Sequence, residues 1–236
     1  MSLRQKVSFL FKFIIVFTSL GGTVYGFFTA TLDGYSVWYK RLLYFTTQSN
    51  VWIGVVYLAI ILIYLFKKSN NEKLLRSFYL CKYFFVVSIS ITGLVFCSVL
   101  GPFADESFRA WSLYSLLAHV ITPVLSITEF YIDEYEYNFK NSHVLGTIIA
   151  PLIYFALTMI LGAVKYDFGR GDPFPYFFLD IHSDVGLFGF KSKPLPNMGT
   201  VWWILLLLSL IIGIGFLFMK THHLPTKRKR KKQLSN

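Results

Sequence analysis

Charged residues are scarce in this chain. They make up 15% of its 236 residues, against about 25% in typical soluble domains. Hydrophobic residues reach 55% and aromatic residues 19%. This composition excludes an ordinary soluble globular protein and indicates an integral membrane protein. Acidic residues are rarer than basic ones, since the chain has 12 Asp and Glu against 23 Lys and Arg, which gives a net charge of +11.

Cysteine is nearly absent as well. Cys81 and Cys97 lie on one predicted helix, and their spacing in the chain corresponds to about 24 Å along a helix axis. That distance excludes a disulfide between them. We predict two membrane-buried thiols that pack as small apolar groups.

The chain also lacks a linker, a low-complexity tract and a clear internal repeat, which favours a single domain. Apolar runs of about 20 residues, enough to cross roughly 30 Å of hydrocarbon, occur in six places. They are residues 8–28, 43–66, 78–100, 113–131, 144–164 and 201–219. The sequence therefore predicts an all-α polytopic bundle of six transmembrane helices over residues 1–219, followed by a basic tail at 220–236.

The placement of Lys and Arg predicts the orientation of this bundle. With both termini in the cytoplasm, the inner side holds 16 of the 23 basic residues, including Lys12, Lys82 and the run at 227–232. Such a bias follows the positive-inside rule. It explains the positive charge without nucleic acid as a partner. The expected partners are the membrane itself and, for the basic tail, anionic lipid headgroups.

The second predicted helix begins with a polar run, Tyr44-Phe45-Thr46-Thr47-Gln48-Ser49-Asn50. A polar group buried without a partner costs about 1 to 3 kcal/mol, so a membrane helix gains no stability by collecting five of them. The run therefore points to a site. Thr46, Ser49 and Asn50 have the spacing i, i+3, i+4 and share one helix face.

His119 is the only histidine inside a predicted span. Ionisable residues at membrane depth usually face the bundle interior and mark functional sites. In the predicted topology His119 and Thr46 both lie in the outer half, so their helices can line one pocket. A threonine hydroxyl and an imidazole are the minimum parts of a nucleophile and its base. The alternative is structural, with hydroxyls bonded to carbonyls four residues earlier and a buried histidine bonded to a hydroxyl.

Three further expectations concern residues outside this pair. Glu129, near the inner end of the fourth helix, is expected to extend to the cytoplasmic interface. The long outer loop at 165–200 is expected to fold back over the helix ends, since its aromatic residues are too apolar for disorder. Asp180, His182 and Asp184 have a spacing that suits a metal, but no second cluster completes a site. We therefore predict no metal and no cofactor.

At these residues the chain resembles the family of androgen-induced multipass membrane proteins and their bacterial relatives. The resemblance is carried by Tyr44-Phe45-Thr46, by His119 followed by Pro123, and by the segment Pro-Tyr-Phe-Phe-Leu-Asp at 175–180, which is similar to the family's Tyr-Pro-Phe-Leu-Glu box. The animal members are threonine hydrolases that cleave fatty acid esters of hydroxy fatty acids. The resemblance covers residues 11–219, the six-helix bundle. It implies Thr46 as the nucleophile and His119 as its base.

The chain departs from the family in two places. Its box reads Pro-Tyr-Phe-Phe, and Thr-Gln-Ser-Asn follows Thr46 where the animal proteins are more apolar. Thr47 is thus a rival nucleophile. The polar extension resembles the bacterial branch, which implies a bacterial cytoplasmic membrane and leaves the substrate open.

The chemistry implied is acyl transfer through an acyl-threonine. Asn50, Gln48 or Tyr176 is expected to donate a hydrogen bond to the oxyanion. No acidic partner for His119 occurs at its depth, which favours a dyad over a triad. The alternative function is a non-catalytic transporter or lipid-binding protein. Proton-coupled transporters usually carry charged relays at mid-membrane, and His119 alone stands there, so the hydrolase is favoured.

Overall fold

The structure, a computed structural model, describes residues 2–66, 72–102, 109–192 and 197–222. Within them, six helices are long and apolar enough to cross a membrane. They are α1 (Leu3–Phe28), α2 (Phe45–Leu65), α3 (Glu72–Leu100), α4 (Leu113–Ile132), α5 (Asn141–Ala163) and α6 (Thr200–Thr221). The predicted all-α polytopic bundle of six helices is confirmed, and the chain is an integral membrane protein.

Helix α1 begins five residues before the predicted span because its start is set by a cap rather than by apolarity. The Ser2 side chain accepts a hydrogen bond from the Gln5 amide at 3.0 Å, and the Gln5 side chain accepts one from the Ser2 amide at 2.8 Å. This is a capping box. Arg4 in the first turn donates to the carbonyls of Tyr131 and Ile132, at 2.6 and 2.8 Å. The start of α1 therefore lies beside the end of α4.

Several helices are interrupted. Helix α1 consists of Leu3–Val16 and Gly22–Phe28 around a π-helical turn at Phe17–Gly21. Helix α3 continues from Glu72–Val95 into a π turn at Phe96–Leu100. Helix α4 runs through Leu113–Leu116, a π turn at Leu117–Ile121 and Thr122–Ile132, while α5 breaks between Asn141–Gly146 and Ile149–Ala163. Turns of the π type occur frequently at functional sites.

Helices α3 and α4 approach closely at Gly93. A Cβ at this position would lie 2.9 Å from the His119 carbonyl oxygen and 3.0 Å from Pro123 Cβ. Both distances are too short for an ordinary contact, so this spacing of the two helices requires glycine. The absence of a side chain on α3 thus fixes how deeply the π turn of α4 sits in the bundle.

The expectation that Glu129 extends to the interface is wrong. Its side chain is fully buried and pairs with Lys12 of α1 and with Lys82 of α3, whose Nζ lies 2.5 Å away. Both lysines also bind Asp133, at 3.0 and 2.6 Å, and the Tyr57 hydroxyl donates to Glu129 at 2.7 Å. Two cations and two anions neutralise one another inside the bundle, so the Glu129 carboxylate has no need of water. We call Lys12, Lys82, Glu129 and Asp133 the inner charge cluster.

The loop between α5 and α6 folds over the helix ends, as expected. It contains a short 3-10 turn at Phe177–Leu179 and two antiparallel strands, β1 (Phe190–Lys191) and β2 (Asn197–Met198), with Phe190 opposite Met198. Its aromatic side chains Phe174 and Phe178 are buried against the bundle. The loop, described at residues 164–192 and 197–199, is therefore a folded cover at the end of the bundle where α2 begins. We call it the covering loop.

Both cysteines are free, as expected, with Cys81 half-buried and Cys97 exposed on the surface of α3. The basic run at 227–232, and Lys67 and Lys68 of the predicted inner side, lie outside the described residues. The orientation of the bundle across the membrane and its division into residues 1–219 and a tail stay predictions.

Candidate active site

Thr46 and His119 meet in the interior of the bundle. Thr46 lies in the first turn of α2 and His119 in the π turn of α4. The Thr46 Oγ1 atom is 3.2 Å from His119 Nε2, and the two residues are only 7% and 6% exposed. The expectation that the two polar helix faces share one pocket is confirmed for this pair.

The ring of His119 is held in one orientation. Its Nδ1 atom is 2.9 Å from the Ser115 carbonyl oxygen. A carbonyl oxygen only accepts hydrogen bonds, so in the neutral ring Nδ1 carries the hydrogen and Nε2 presents its lone pair to the Thr46 hydroxyl; this tautomer follows from the bonding partner. The ring also stacks on Phe96 of the α3 π turn, with centroids 4.0 Å apart. The Ser115 carbonyl thus orients the histidine, which is the role of the acidic side chain in a catalytic triad.

The start of α2 positions Thr46. Tyr44 precedes the helix in an extended conformation and accepts the amide of Gln48 at 3.1 Å. Because the first amides of a helix have no partner within it, the amide of Thr46 is free to bond outward. It lies 3.4 Å from the Tyr176 hydroxyl. The nucleophile candidate therefore sits at the positive end of a helix dipole.

Tyr176 brings the covering loop to the site. Its hydroxyl is 3.4 Å from Thr46 Oγ1 as well as from the Thr46 amide. Burial raises the pKa of Tyr176 to about 12, so the phenol stays protonated at neutral pH and is able to donate a hydrogen bond. Its ring packs between Tyr44 and Phe178, at centroid distances of 5.7 and 5.1 Å.

The other predicted oxyanion donors have different partners. The Asn50 amide nitrogen donates to the Thr46 carbonyl at 2.8 Å and to the Ala118 carbonyl at 3.0 Å. Both of its hydrogens are therefore used in tying α2 to the π turn of α4. The Gln48 amide nitrogen donates to the Leu42 carbonyl at 3.0 Å, in the segment before the helix. Of the three candidates, Tyr176 alone contacts Thr46 Oγ1.

Thr47 does not meet the histidine. Its hydroxyl is fully buried and lies 2.9 Å from the Tyr114 hydroxyl. Ser49 turns to Thr92 of α3, at 2.9 Å. The geometry therefore favours Thr46 over its neighbour as the partner of His119.

Two cavities meet at Thr46. The first, of about 290 Å³, is lined by Thr46, Thr47, His119 and Tyr176 and by several charged residues. The second, of about 50 Å³, is almost wholly apolar, and it shares Thr46, Leu100 and Tyr176 with the first. The apolar lining comes from α2, α3, α5, α6 and the covering loop: Phe45, Ile91, Val95, Tyr154, Phe155, Phe178, Leu207 and Ile211. The Thr46 hydroxyl thus stands between a polar and an apolar compartment.

The acidic loop residues do not converge. Asp180 Oδ1 accepts the His182 amide at 2.8 Å, whereas Asp184 pairs with Lys191 at 2.8 Å. In the part of the chain that the structure describes, no group of three or more His, Cys, Asp or Glu side chains has an arrangement suited to a metal ion.

Sequence reasoning missed several contributors to the site. The Ser115 carbonyl is a backbone group, so the residue type at this position does not predict its contact with His119. Phe96 is one aromatic among 25 phenylalanines. The buried arginine Arg41 was not singled out from the sequence, although its position three residues before the polar run was a usable signal.

The fold and the site define a class: a six-helix membrane protein with a buried threonine-histidine pair beside a polar cavity. No protein-family model matches this chain, and no curated protein or solved structure matches it either. The resemblance to the androgen-induced family therefore rests on the short sequence motifs and stays a prediction.

Proposed function

We propose that this chain is an intramembrane lipid-ester hydrolase that cleaves fatty-acyl esters with Thr46 as nucleophile and His119 as general base. The observation that carries the proposal is the contact of Thr46 Oγ1 with His119 Nε2 at 3.2 Å, with Nδ1 of the same ring bound to a carbonyl. A nucleophile in reach of a base that a third group orients is the pattern of covalent catalysis.

In the first step the Thr46 oxygen attacks the acyl carbonyl while its proton passes to His119 Nε2. The tetrahedral oxyanion collapses, the ester C–O bond breaks, and the departing alkoxide takes the proton back from His119. An acyl-threonine remains. Water then attacks it with His119 accepting a water proton, and collapse of the second intermediate releases the fatty acid and restores the Thr46 hydroxyl.

Tyr176 and the start of α2 would stabilise the oxyanion. The protonated phenol lies 3.4 Å from Thr46 Oγ1, next to the atom that forms the new bond. The positive end of the helix dipole acts in the same direction. A single donor of this kind is typically worth about 3 to 4 kcal/mol of transition-state stabilisation.

The apolar cavity supports a lipid as the substrate. It begins at Thr46 and is lined by side chains of α5 and α6, so the first carbons of an acyl chain placed there would bring its carbonyl to the hydroxyl. The larger polar cavity would receive the alcohol part. The family resemblance implies the same chemistry, possible substrates being fatty acid esters of hydroxy fatty acids.

Hydrolysis of a long-chain acyl ester by the purified protein tests the proposal. Thr46→Ala and His119→Ala should each lower kcat by about 10² to 10⁴, Thr46→Ser should retain part of the activity, and the double variant should be no worse than either single one. Thr128→Ala is the matched control, since this exposed threonine of α4 bonds only its own helix, at Val124.

Two results would contradict the proposal. Loss of activity in Thr47→Ala with Thr46→Ala unaffected would move the nucleophile by one residue. The second result is that none of these variants changes turnover while the same variants lose lipid binding or uptake. It would favour the alternative function of a transporter or lipid-binding protein.

A further inference from the structure

The polar cavity carries an excess of positive charge. Its described lining includes three guanidinium groups, from Arg41, Arg109 and Arg170, and a single carboxylate, from Asp33. Among the described lining residues, cations therefore outnumber anions by two. The hydrolytic steps proposed for Thr46 use none of these arginines.

Arg41 is the buried centre of this group. It is 1% exposed, and its Nη2 atom binds Asp33 at 2.6 Å. Its guanidinium lies between the rings of Tyr35 and Tyr114, at 4.7 and 4.1 Å from their centroids. The Nε and Nη1 atoms have no hydrogen-bond partner within the described residues. A buried charged donor left unsatisfied is costly. Both atoms are buried in this structure, while other parts of the Arg41 side chain form part of the cavity wall.

Glycine at position 26 lets Tyr114 and Arg41 pack closely against α1. A Cβ at Gly26 would lie 2.5 Å from the Tyr114 ring and 3.2 Å from Arg41 Nη1. Arg109 also lines the cavity and is half exposed, with its Nη1 atom 3.6 Å from Asp33 Oδ1. One carboxylate is thus shared by two guanidinium groups, so it neutralises neither fully.

Arg170 is delivered by a constrained turn of the covering loop. Asp167 accepts the amides of Gly169 and Gly171, at 2.6 and 2.9 Å. Gly169 has a φ of +115°, and a Cβ there would lie 2.8 Å from the Tyr35 ring, so the turn requires glycine. The Arg170 guanidinium then stacks over Tyr35 at 4.6 Å, on the ring that also contacts Arg41.

We infer that Arg41, Arg109 and Arg170 bind an anionic oxyacid group, a carboxylate or a phosphate, that belongs to the same molecule as the ester. This inference rests on the proposed function. Guanidinium groups match both anions with paired hydrogen bonds, and all three arginines line the cavity that Thr46 also lines. The substrate is then an amphipath, with its anion at the arginines, its ester at Thr46 and its acyl chain in the apolar cavity.

The test compares three esters with one acyl chain and one linkage, whose alcohol part ends in a carboxylate, a phosphate or a neutral primary amide. They are presented in uncharged detergent to the full chain. We expect kcat/KM to be at least about tenfold higher for one or both anionic esters than for the neutral one, since hydrogen bonds to charged groups are the stronger kind. The preferred anion identifies the headgroup, and competition by inorganic phosphate alone would reveal a site for the free anion.

The variant pair Arg41→Gln with Asp33→Asn removes both members of the buried ion pair, so that neither charge is left alone. It keeps the net charge of the described lining and removes one of its three guanidinium groups, so it should lower the anionic-to-neutral ratio. If that double variant fails to fold, Arg109→Gln provides the test instead, because its half-exposed position tolerates change. Arg109→Gln should also lower the ratio. Lys191→Gln with Asp184→Asn, an exposed pair in the same loop, is the matched control and should keep the wild-type ratio.

The outcomes separate this inference from the function beneath it. Equal turnover of all three esters by the wild type, or an unchanged ratio in Arg109→Gln, overturns the arginine subsite and leaves the hydrolase intact. If no ester is cleaved, the hydrolase fails, and equilibrium binding of the carboxylate and phosphate esters to the wild type and to Arg109→Gln decides the subsite. Weaker binding in the variant for anionic but not neutral ester supports it, and equal binding overturns it.

Discussion

Lys82 Nζ of α3 lies 2.5 Å from Glu129 Oε2 of α4, ten residues beyond His119 on the same helix. This places the ion pair about 15 Å along the helix axis from the candidate base. Lys12 of α1 binds the same carboxylate. The helix that carries His119 is therefore anchored to two neighbours near its C-terminal end and tied to α2 through Asn50 and Ala118 near the site. Such anchoring keeps the imidazole in register with Thr46.

Glu129→Leu should destabilise the protein strongly. Removing one partner from a buried ion pair typically costs about 3 to 5 kcal/mol, because Lys12 and Lys82 would keep a single carboxylate between them. The double variant Lys12→Leu with Glu129→Leu removes one charge of each sign and should be more stable than the single variant. Unfolding of the detergent-solubilised protein checks the order. A Glu129→Leu variant as stable as the wild type would show that the inner charge cluster is dispensable.

The pH dependence of stability follows from Asp133, just beyond the end of α4. Burial opposes its ionisation, but Lys82 and Lys12 outweigh burial and hold the pKa of Asp133 below its usual range. A carboxylate of this kind stabilises the fold above its unfolded pKa of about 3.9 and progressively less as the pH falls below that value. The Tm should therefore drop below about pH 4. The drop should be shallower in Asp133→Asn, and an identical slope in the two proteins would be inconsistent with this assignment.

Tyr176→Phe tests the oxyanion donor. The change removes only the hydroxyl that lies 3.4 Å from Thr46 Oγ1 and leaves the ring packed on Tyr44 and Phe178. If the phenol serves the oxyanion, kcat should fall by about 10² to 10³ with little change in KM. Phe188→Leu, at an exposed aromatic residue of the same loop, is the comparison variant. A loss confined to KM would assign Tyr176 to substrate binding instead.

The predicted orientation is open to labelling. On a background without Cys81 and Cys97, a cysteine at His182 in the covering loop and one at Glu136 after α4 occupy opposite ends of the bundle, and both positions are exposed. The positive-inside bias predicts that an impermeant thiol reagent labels position 182 in intact cells and position 136 only after permeabilisation. The reverse pattern would invert the topology.

The six spans were predictable from the sequence because length and apolarity alone decide them. The meeting of Thr46 and His119 was predictable too, since both lie within about two turns of the N-terminal ends of parallel helices. Helix geometry also predicted that Thr46 and Asn50 share one face of α2. It did not predict that the Asn50 amide donates hydrogen bonds to two backbone carbonyls.

Long-range charge pairing could not be predicted. Glu129, Lys12 and Lys82 stand on three helices, and each alone has the sequence context of an interfacial residue. Their pairing depends on helix rotation and depth, which no local pattern encodes. The same holds for Arg41, whose burial depends on Asp33 and on two tyrosine rings from other segments.

The most direct test of the central claim is to trap the nucleophile. The purified protein is treated with a fluorophosphonate that carries a long alkyl chain, and the modified residue is located by peptide mass spectrometry. Our account predicts one covalent adduct on Thr46, absent from Thr46→Ala and strongly reduced in His119→Ala, since the hydroxyl needs its base to react. An adduct on Thr47, or equal labelling of the wild type and Thr46→Ala, would contradict it.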